Sequence, residues 1–311
     1  MSVYHGQIKC SATYQNSGKP CRNKAYWSVP RGGDALYLCG THSKCYPNRA
    51  ELPKDPLKAE KLAKEYARRM KVAVDLAETR ERRGRVRCAK LRMRHEAPHL
   101  EGYVAVSPNF KHGRGFKAGL GMPSLSPMSM GPVEHNQPGL PPSLNLENFH
   151  QFNKVFADEV DAEGDPTQAF YDAQLAAYAD PTPHRRKQRG KVPLYSVWVT
   201  SEASSSDAPG SKMLNKLSYL ESRELYCSFY AHFALQDPMY HKLLGLLERG
   251  VDLLIIGYDA NPPSSITPEG LLACYEYLKK PFGHEMVLLT LLMYPDQPEV
   301  WPWKVHQKYL Y

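Results

Sequence analysis

The stretch VDLLIIGYDA, residues 251–260, decides the fold. Leu253, Leu254, Ile255 and Ile256 are apolar at consecutive positions. An extended segment of that kind is apolar on both faces, as in a parallel sheet covered by helices. Its flanks supply those helices. DPMYHKLLGLLERG (237–250) reads as a helix stopped by Gly250, a typical residue just past a helix end. LSYLESRELYCSFYAHFAL (217–235) reads as another, with Ser218 and Glu221 in the capping-box spacing S-x-x-E. Thr267-Pro268 opens a third helix over 268–280, HEMVLLTLLMY (284–294) is a packed helix or strand, and LYSVWV (194–199) is a strand. The expectation is an α/β protein whose residues 146–311 form a Rossmann-like layer.

Ligands of open α/β sheets bind outside the carboxyl ends of the strands. Here that end presents Gly257, Tyr258, Asp259 and Asn261. Asp259 suits a ribose hydroxyl, a metal or general-base work, and equally a simple turn. Tyr258 suits stacking on a base, and Asn261 adds a polar contact. Arg223 sits near a helix start, the wrong end for a cation on dipole grounds, so it calls for an acidic side chain or a ligand phosphate. His284 and Glu285 follow Phe282-Gly283 and form the remaining candidate acid–base pair, although a lone histidine is more often structural. Asp259, His284 and Glu285 are therefore the catalytic candidates, for a nucleotide or a nucleotide-linked sugar. The sequence carries no P-loop, no G-x-G-x-x-G, no H-E-x-x-H and no nucleophile elbow.

Toward the amino terminus, Cys10, Cys21, Cys39 and His42 form Cys-x10-Cys-x17-Cys-x2-His. Zinc takes thiolate and imidazole in a tetrahedron, and the Cys-x2-His knuckle lets two ligands reach one ion. Gly40 is expected to ease that knuckle, and Lys9, Lys19, Arg22 and Lys24 to favour thiolate. Cys45 or His5 is an alternative fourth ligand. Residues 1–48 hold few apolar side chains, so metal would supply most of their folding free energy.

Residues 49–111 form a basic segment. Between Lys54 and Arg94 there are 15 Lys/Arg against 6 Asp/Glu, while the whole chain carries +8. So concentrated an excess points to nucleic acid or another polyanion. Asp55-Pro56 opens a helix over 55–83, with Leu62, Tyr66, Met70, Ala73 and Ala77 as its apolar stripe. The run RERRGRVRCAKLRMR (80–94) adds Arg80, Arg82, Arg83 and Arg85 as phosphate contacts and suggests an arginine-edged strand. YVAVSPNF (103–110) is a short strand. A second basic cluster, PHRRKQRGK (183–191), adds Arg185, Arg186 and Lys187.

Residues 112–145 are rich in glycine and proline yet carry spaced apolar residues from Phe116 to Leu140. That argues for an ordered wrap, over the main domain or onto a neighbouring subunit, rather than a solvated linker. Ser143 with Leu146, Phe149 and Phe152 suggests a short helix, and Asp165-Pro166 the cap of another. The terminal VWPWKVHQKYLY reads as a tail that docks by burying tryptophan, with single-stranded nucleic acid as the other use of such aromatics. No stretch reaches the roughly 20 apolar residues that span a bilayer, and the first residues lack a signal-peptide core. The expectation is an intracellular protein.

The frame CSATYQNSGKPCRNKAYW…YLCGTHS resembles a zinc motif that opens many proteins of large nucleocytoplasmic DNA viruses of algae and amoebae. LSPMSMGPVEHNQPGLPPSLNLENFHQFNKVF, ESRELYCSFY and LLIIGYDA are similar to segments of the same proteins, so the resemblance covers most of the chain. It implies a virus-encoded protein, in the host cytoplasm or nucleus or in the virion beside other virion proteins, and implies no mechanism.

Overall fold

The computed structural model describes residues 3–4, 6–14, 18–53, 56–92, 97–109, 121–186, 192–201 and 212–305. The elements in chain order are β1 (Trp27–Arg31), β2 (Asp34–Leu38), β3 (Ala50–Glu51), α1 (Pro56–Glu78), β4 (Val86–Lys90) and β5 (Tyr103–Val106). Then come α2 (Leu146–Phe152), β6 (Lys154–Val155), α3 (Gln168–Tyr178), β7 (Tyr195–Ser201), β8 (Lys212–Leu217), α4 (Tyr219–Gln236) and α5 (Pro238–Glu248). The chain closes with β9 (Asp252–Gly257), α6 (Pro268–Glu276), α7 (His284–Met293) and α8 (Pro302–Val305). Two compact units result, Met1–Glu65 and Tyr66–Tyr311, with the division inside α1.

The first unit is a three-stranded antiparallel sheet in the order β2-β1-β3, joined to a small apolar cluster of Cys10, Cys21, Val29, Leu38 and Cys39. So small a core leaves this unit little apolar burial.

The larger unit is a mixed α/β body. β9 is buried at every position and is the middle strand of a parallel sheet, order β4-β9-β5. Its neighbours β4 and β5 come from the basic segment, so that part of residues 49–111 shares one sheet with the α/β part, while β3 belongs to the sheet of the first unit. α7, buried from His284 to Leu292, packs on β4 and β9. The ambiguous stretch 284–294 is thus a helix, apolar all round because it is enclosed. α4 is the central helix, against α2, α5, α7 and α8, and its capping box is present with both Ser218 and Glu221 in place.

The strand at 194–199 is β7, but it does not join β9. It pairs antiparallel with β6 and β8 in a separate sheet. Apolar content alone does not say which partner a strand takes.

The described part of the proline-rich stretch is ordered. Met122, Leu125, Met130 and Val133 lie in the main core with Leu146 and Phe149, so residues 121–145 wrap their own body. Trp301 and Trp303 are buried and stacked at 5.5 Å, as the docking reading expects, while Tyr309 and Tyr311 lie outside the described residues. In α1, Ala73 and Ala77 enter the core with Met70 against it. Asp55 lies outside the described residues. No helix among the described residues is long and apolar enough to cross a membrane.

Candidate metal centre and candidate ligand pocket

The metal centre is assembled by pairing. An isolated bridge between Lys9 and Lys24 sets Cys10 beside Asn23, whose carbonyl accepts the Cys10 N–H at 2.8 Å. β2 ends at Leu38 and delivers Cys39, and the turn that follows brings round His42, with Ser43 N–H donating to the Cys39 carbonyl at 2.9 Å. The ligand atoms of Cys10, Cys21, Cys39 and His42 all lie within 4.8 Å of one another, and the three thiols are buried. His42 Nδ1 is 3.4 Å from Cys10 Sγ and 3.3 Å from Cys39 Sγ, and Cys21 Sγ is 4.0 Å from Cys39 Sγ. A tetrahedral ion with bonds of about 2.3 Å to sulfur holds its sulfurs about 3.8 Å apart. The group therefore fits a metal of that kind.

Burial raises the Cys39 thiol, but hydrogen bonds from the His42 and Thr41 N–H groups and from the His42 and Cys10 side chains outweigh it and bring the thiol down to about 6. Backbone amides thus do what was expected of the nearby lysines and Arg22, which are exposed. Gly40 is a second correction. Its φ is not positive, and a Cβ there would meet nothing within 4 Å, so the knuckle does not need glycine. Cys45 is exposed and outside the group, and His5 lies outside the described residues.

The second site is a cavity of about 300 Å³ in the body, lined by α2, β6, α4, the turn after β9 and the start of α7. Asn145 caps α2 by accepting the Asn148 N–H at 2.8 Å. Glu147, His150 and Gln151 then share one helical face, and Lys154 follows on β6; all four line the cavity. Glu147, buried, accepts from Arg185 Nε at 3.2 Å, and Arg185 Nη2 reaches Asp259 at 3.3 Å. One guanidinium therefore ties α2 to the end of β9. Arg186 pairs with Glu159 and lies over the rings of Phe152 and Phe156, at 5.4 and 4.9 Å.

Arg223 needs no acidic partner. It donates to the carbonyls of Tyr275 and Lys280 and lies 4.8 Å over the Tyr219 ring. Tyr275 belongs to the last turn of α6, where unpaired carbonyls attract a cation. These are partial charges, so the full charge of Arg223 still faces the cavity. Lys154 makes no side-chain hydrogen bond or ion pair among the described residues. Desolvation first, then the charges of Arg185 and Arg186, lowers its ammonium to about 8 against the pull of Glu147 and Asp259. His150, whose ring lies 4.5 Å from that of Tyr226, is held well below the usual imidazole range by burial and then by Lys154 and Arg185.

At the mouth of α7, Gly283 is the N-cap and supplies no side chain. His284, 7% exposed, lines the cavity with Nε2 unpartnered among the described residues. Its Nδ1 is 3.4 Å from Glu285 Oε2. Glu285 is fully buried and, that contact aside, neither of its oxygens has a hydrogen-bond partner among the described residues. It lies against Gly257, where a Cβ would fall 1.7 Å from Oε1, and does not line the cavity.

Of the residues expected from the sequence, the cavity gathers Asp259, Arg223, His284, Arg185 and Arg186. Tyr258 is on the surface, and Asn261 donates to Cys274 Sγ at 3.1 Å, so neither lines it. Lys187 lies outside the described residues. The sequence reading missed Glu147, His150, Lys154 and Tyr226, although polar residues at 147, 150, 151 and 154 follow helical spacing.

The arginines of the basic run are placed differently from expectation. Arg80 and Arg82 pair with buried Asp252 at 2.8 and 2.9 Å, and Arg83 donates to the Leu292 carbonyl at 2.7 Å. They serve the body's own backbone and β9. Arg85 gives its N–H to Asp252 at 2.7 Å and leaves its side chain exposed. No protein-family model matches the chain, and searches of curated proteins and of solved structures find no similar protein.

Proposed function

We infer that the body of this protein binds and processes a small phosphate-bearing ligand, a nucleotide or a nucleotide-linked sugar, in the cavity beside Asp259. The surplus positive charge inside the cavity carries this reading. Lys154, Arg185, Arg186 and Arg223 line it against two carboxylates, Glu147 and Asp259; the single charge of Arg185 bridges both of these, Arg186 pairs with Glu159, and Arg223 and Lys154 make no ion pair among the described residues. The start of α7 adds backbone N–H groups that favour an anion, and the aromatic rings of Tyr219 and Tyr226 offer apolar wall. The place also suits the Rossmann-like reading of the β4-β9-β5 layer, since it is the carboxyl end of the middle strand. His284, with Nε2 unpartnered in the wall, is the group to hold or move a proton on a bound ligand. In the other unit, zinc is the proposed ion of Cys10, Cys21, Cys39 and His42, in a closed structural site.

A thermal-shift screen of nucleotides, nucleotide sugars and inorganic phosphate tests the pocket. A ligand at a hundred times its Kd stabilises by about 2.7 kcal/mol. Asp259→Asn should leave the unliganded melting temperature nearly unchanged and alter ligand affinity. If none of these compounds stabilises the wild type, the reading fails.

Association with nucleic acid is a second reading, favoured by the exposed Arg87 and Lys90 on β4 and Arg85 just before it. Neutralising Arg85 and Arg87 should then lower affinity and flatten its salt dependence; an unchanged slope excludes them. A viral origin rests on the sequence resemblance. A role tying virion subunits together has less on its side, because residues 121–145 pack into their own body.

A further inference from the structure

We propose that Lys154 is a nucleophilic amine that takes the aldehyde or ketone carbon of the bound phosphate-bearing ligand as an imine. The inference rests on the anion-pocket reading and narrows its ligand to a carbonyl compound.

The geometry sets Lys154 apart from the other cations of the cavity. Arg185, Arg186 and Arg223 are each fixed by two or more hydrogen bonds to carboxylates or carbonyls. Lys154 lines the same cavity, and its nitrogen is spent on none of the described residues. A structural lysine half-buried in a cavity wall, as Lys154 is, is expected to hold a carboxylate. Glu147 and Asp259 are near enough to act on its charge, yet Arg185 takes both. A lysine becomes a nucleophile when it is desolvated beside other cations, and Lys154 has Arg185 and Arg186 beside it. Its ammonium, lowered to about 8, leaves about two orders of magnitude more neutral amine at pH 7 than an ordinary lysine of about 10.4.

The chemistry balances without a further reagent. The neutral amine of Lys154 gives its electron pair to the carbonyl carbon, and the C–N bond forms as the carbonyl π pair moves to oxygen. The two amine hydrogens leave with that oxygen as one water, and the C=N bond remains. Tyr226 and His150 form the wall on this side, with His150 uncharged and able to relay a proton. The α7 start and Arg223 would hold the phosphate.

Pyridoxal 5′-phosphate is the probe, a phosphate-bearing aldehyde whose adduct sodium borohydride fixes for peptide mass spectrometry. At substoichiometric probe and pH 7, the adduct should fall on Lys154 at least about tenfold above any other lysine. Pyridoxal without phosphate should label it at least about tenfold less, and excess inorganic phosphate should suppress labelling. Lys154→Arg keeps the charge and should keep phosphate-induced stabilisation while losing the adduct, which separates chemistry from folding. Phosphate stabilisation with labelling scattered over surface lysines would overturn the nucleophile and leave the pocket reading standing. No stabilisation by phosphate, nucleotides or nucleotide sugars, together with no adduct, would overturn both.

Discussion

Gly257 and Glu285 share one space, and each explains the other. The φ of Gly257 is not positive, and its missing side chain is where the Glu285 carboxylate lies. Gly257→Ala should destabilise the body by about 1–3 kcal/mol, the usual cost of overpacking. Glu285→Ala should relieve most of that, so the double variant should be more stable than the sum of the singles predicts by about 1 kcal/mol or more; urea unfolding of the four proteins measures it. Asp252 sets a second test. Burial raises its carboxyl, but hydrogen bonds from Arg82 and the Arg85 N–H, with the charges of Arg82 and Arg80, hold it below the ordinary range. A carboxyl depressed by folding stabilises above its unfolded pKa and loses that contribution as pH falls through the folded value. Asp252→Asn should therefore cost toward the lower end of roughly 3–5 kcal/mol at neutral pH, since Arg80 and Arg82 keep 26% and 32% exposure. The gap to wild type should close below about pH 4, as urea midpoints measured against pH would show.

Among the elements, those whose signals are local were legible. The Ser218–Glu221 box, Thr267-Pro268 and Asp237-Pro238 open α4, α6 and α5 as their letters imply, because a cap is written within four residues. Ser218→Ala should cost about 1 kcal/mol, seen as a drop in melting temperature with unchanged ligand affinity. The partners of β9 were not legible. Val86 and Leu253 are in register across a parallel pair, yet nothing in either segment names the other, and parallel strands need long connections. The same limit hid the pocket: Lys154 and Arg223 gain meaning only once β6 and α4 stand on one cavity. β4 also revises the basic run. Among the described residues it is an edge strand with Arg87 and Lys90 exposed, and exposed cations on an edge discourage pairing with another sheet.

For the molecule as a whole, the two units respond to different insults. The first has an apolar cluster of only a few residues around its Cys/His group, and a structural zinc contributes about 10–16 kcal/mol in small domains at neutral pH. Cys21→Ser, or a strong chelator, should abolish amide protection over residues 18–53 in hydrogen exchange while the body keeps its own. Protection that survives in metal-free protein would show that the thiols pack without an ion. The central place of β9 has a consequence for synthesis. β5 ends at Val106 and β9 begins at Asp252. At about 5–20 residues per second, roughly 7–30 s separate their emergence from the ribosome. Throughout that interval β4 and β5 are translated but lack the strand that joins them, so the nascent body depends on whatever shields their unpaired edges until Asp252–Gly257 has been made.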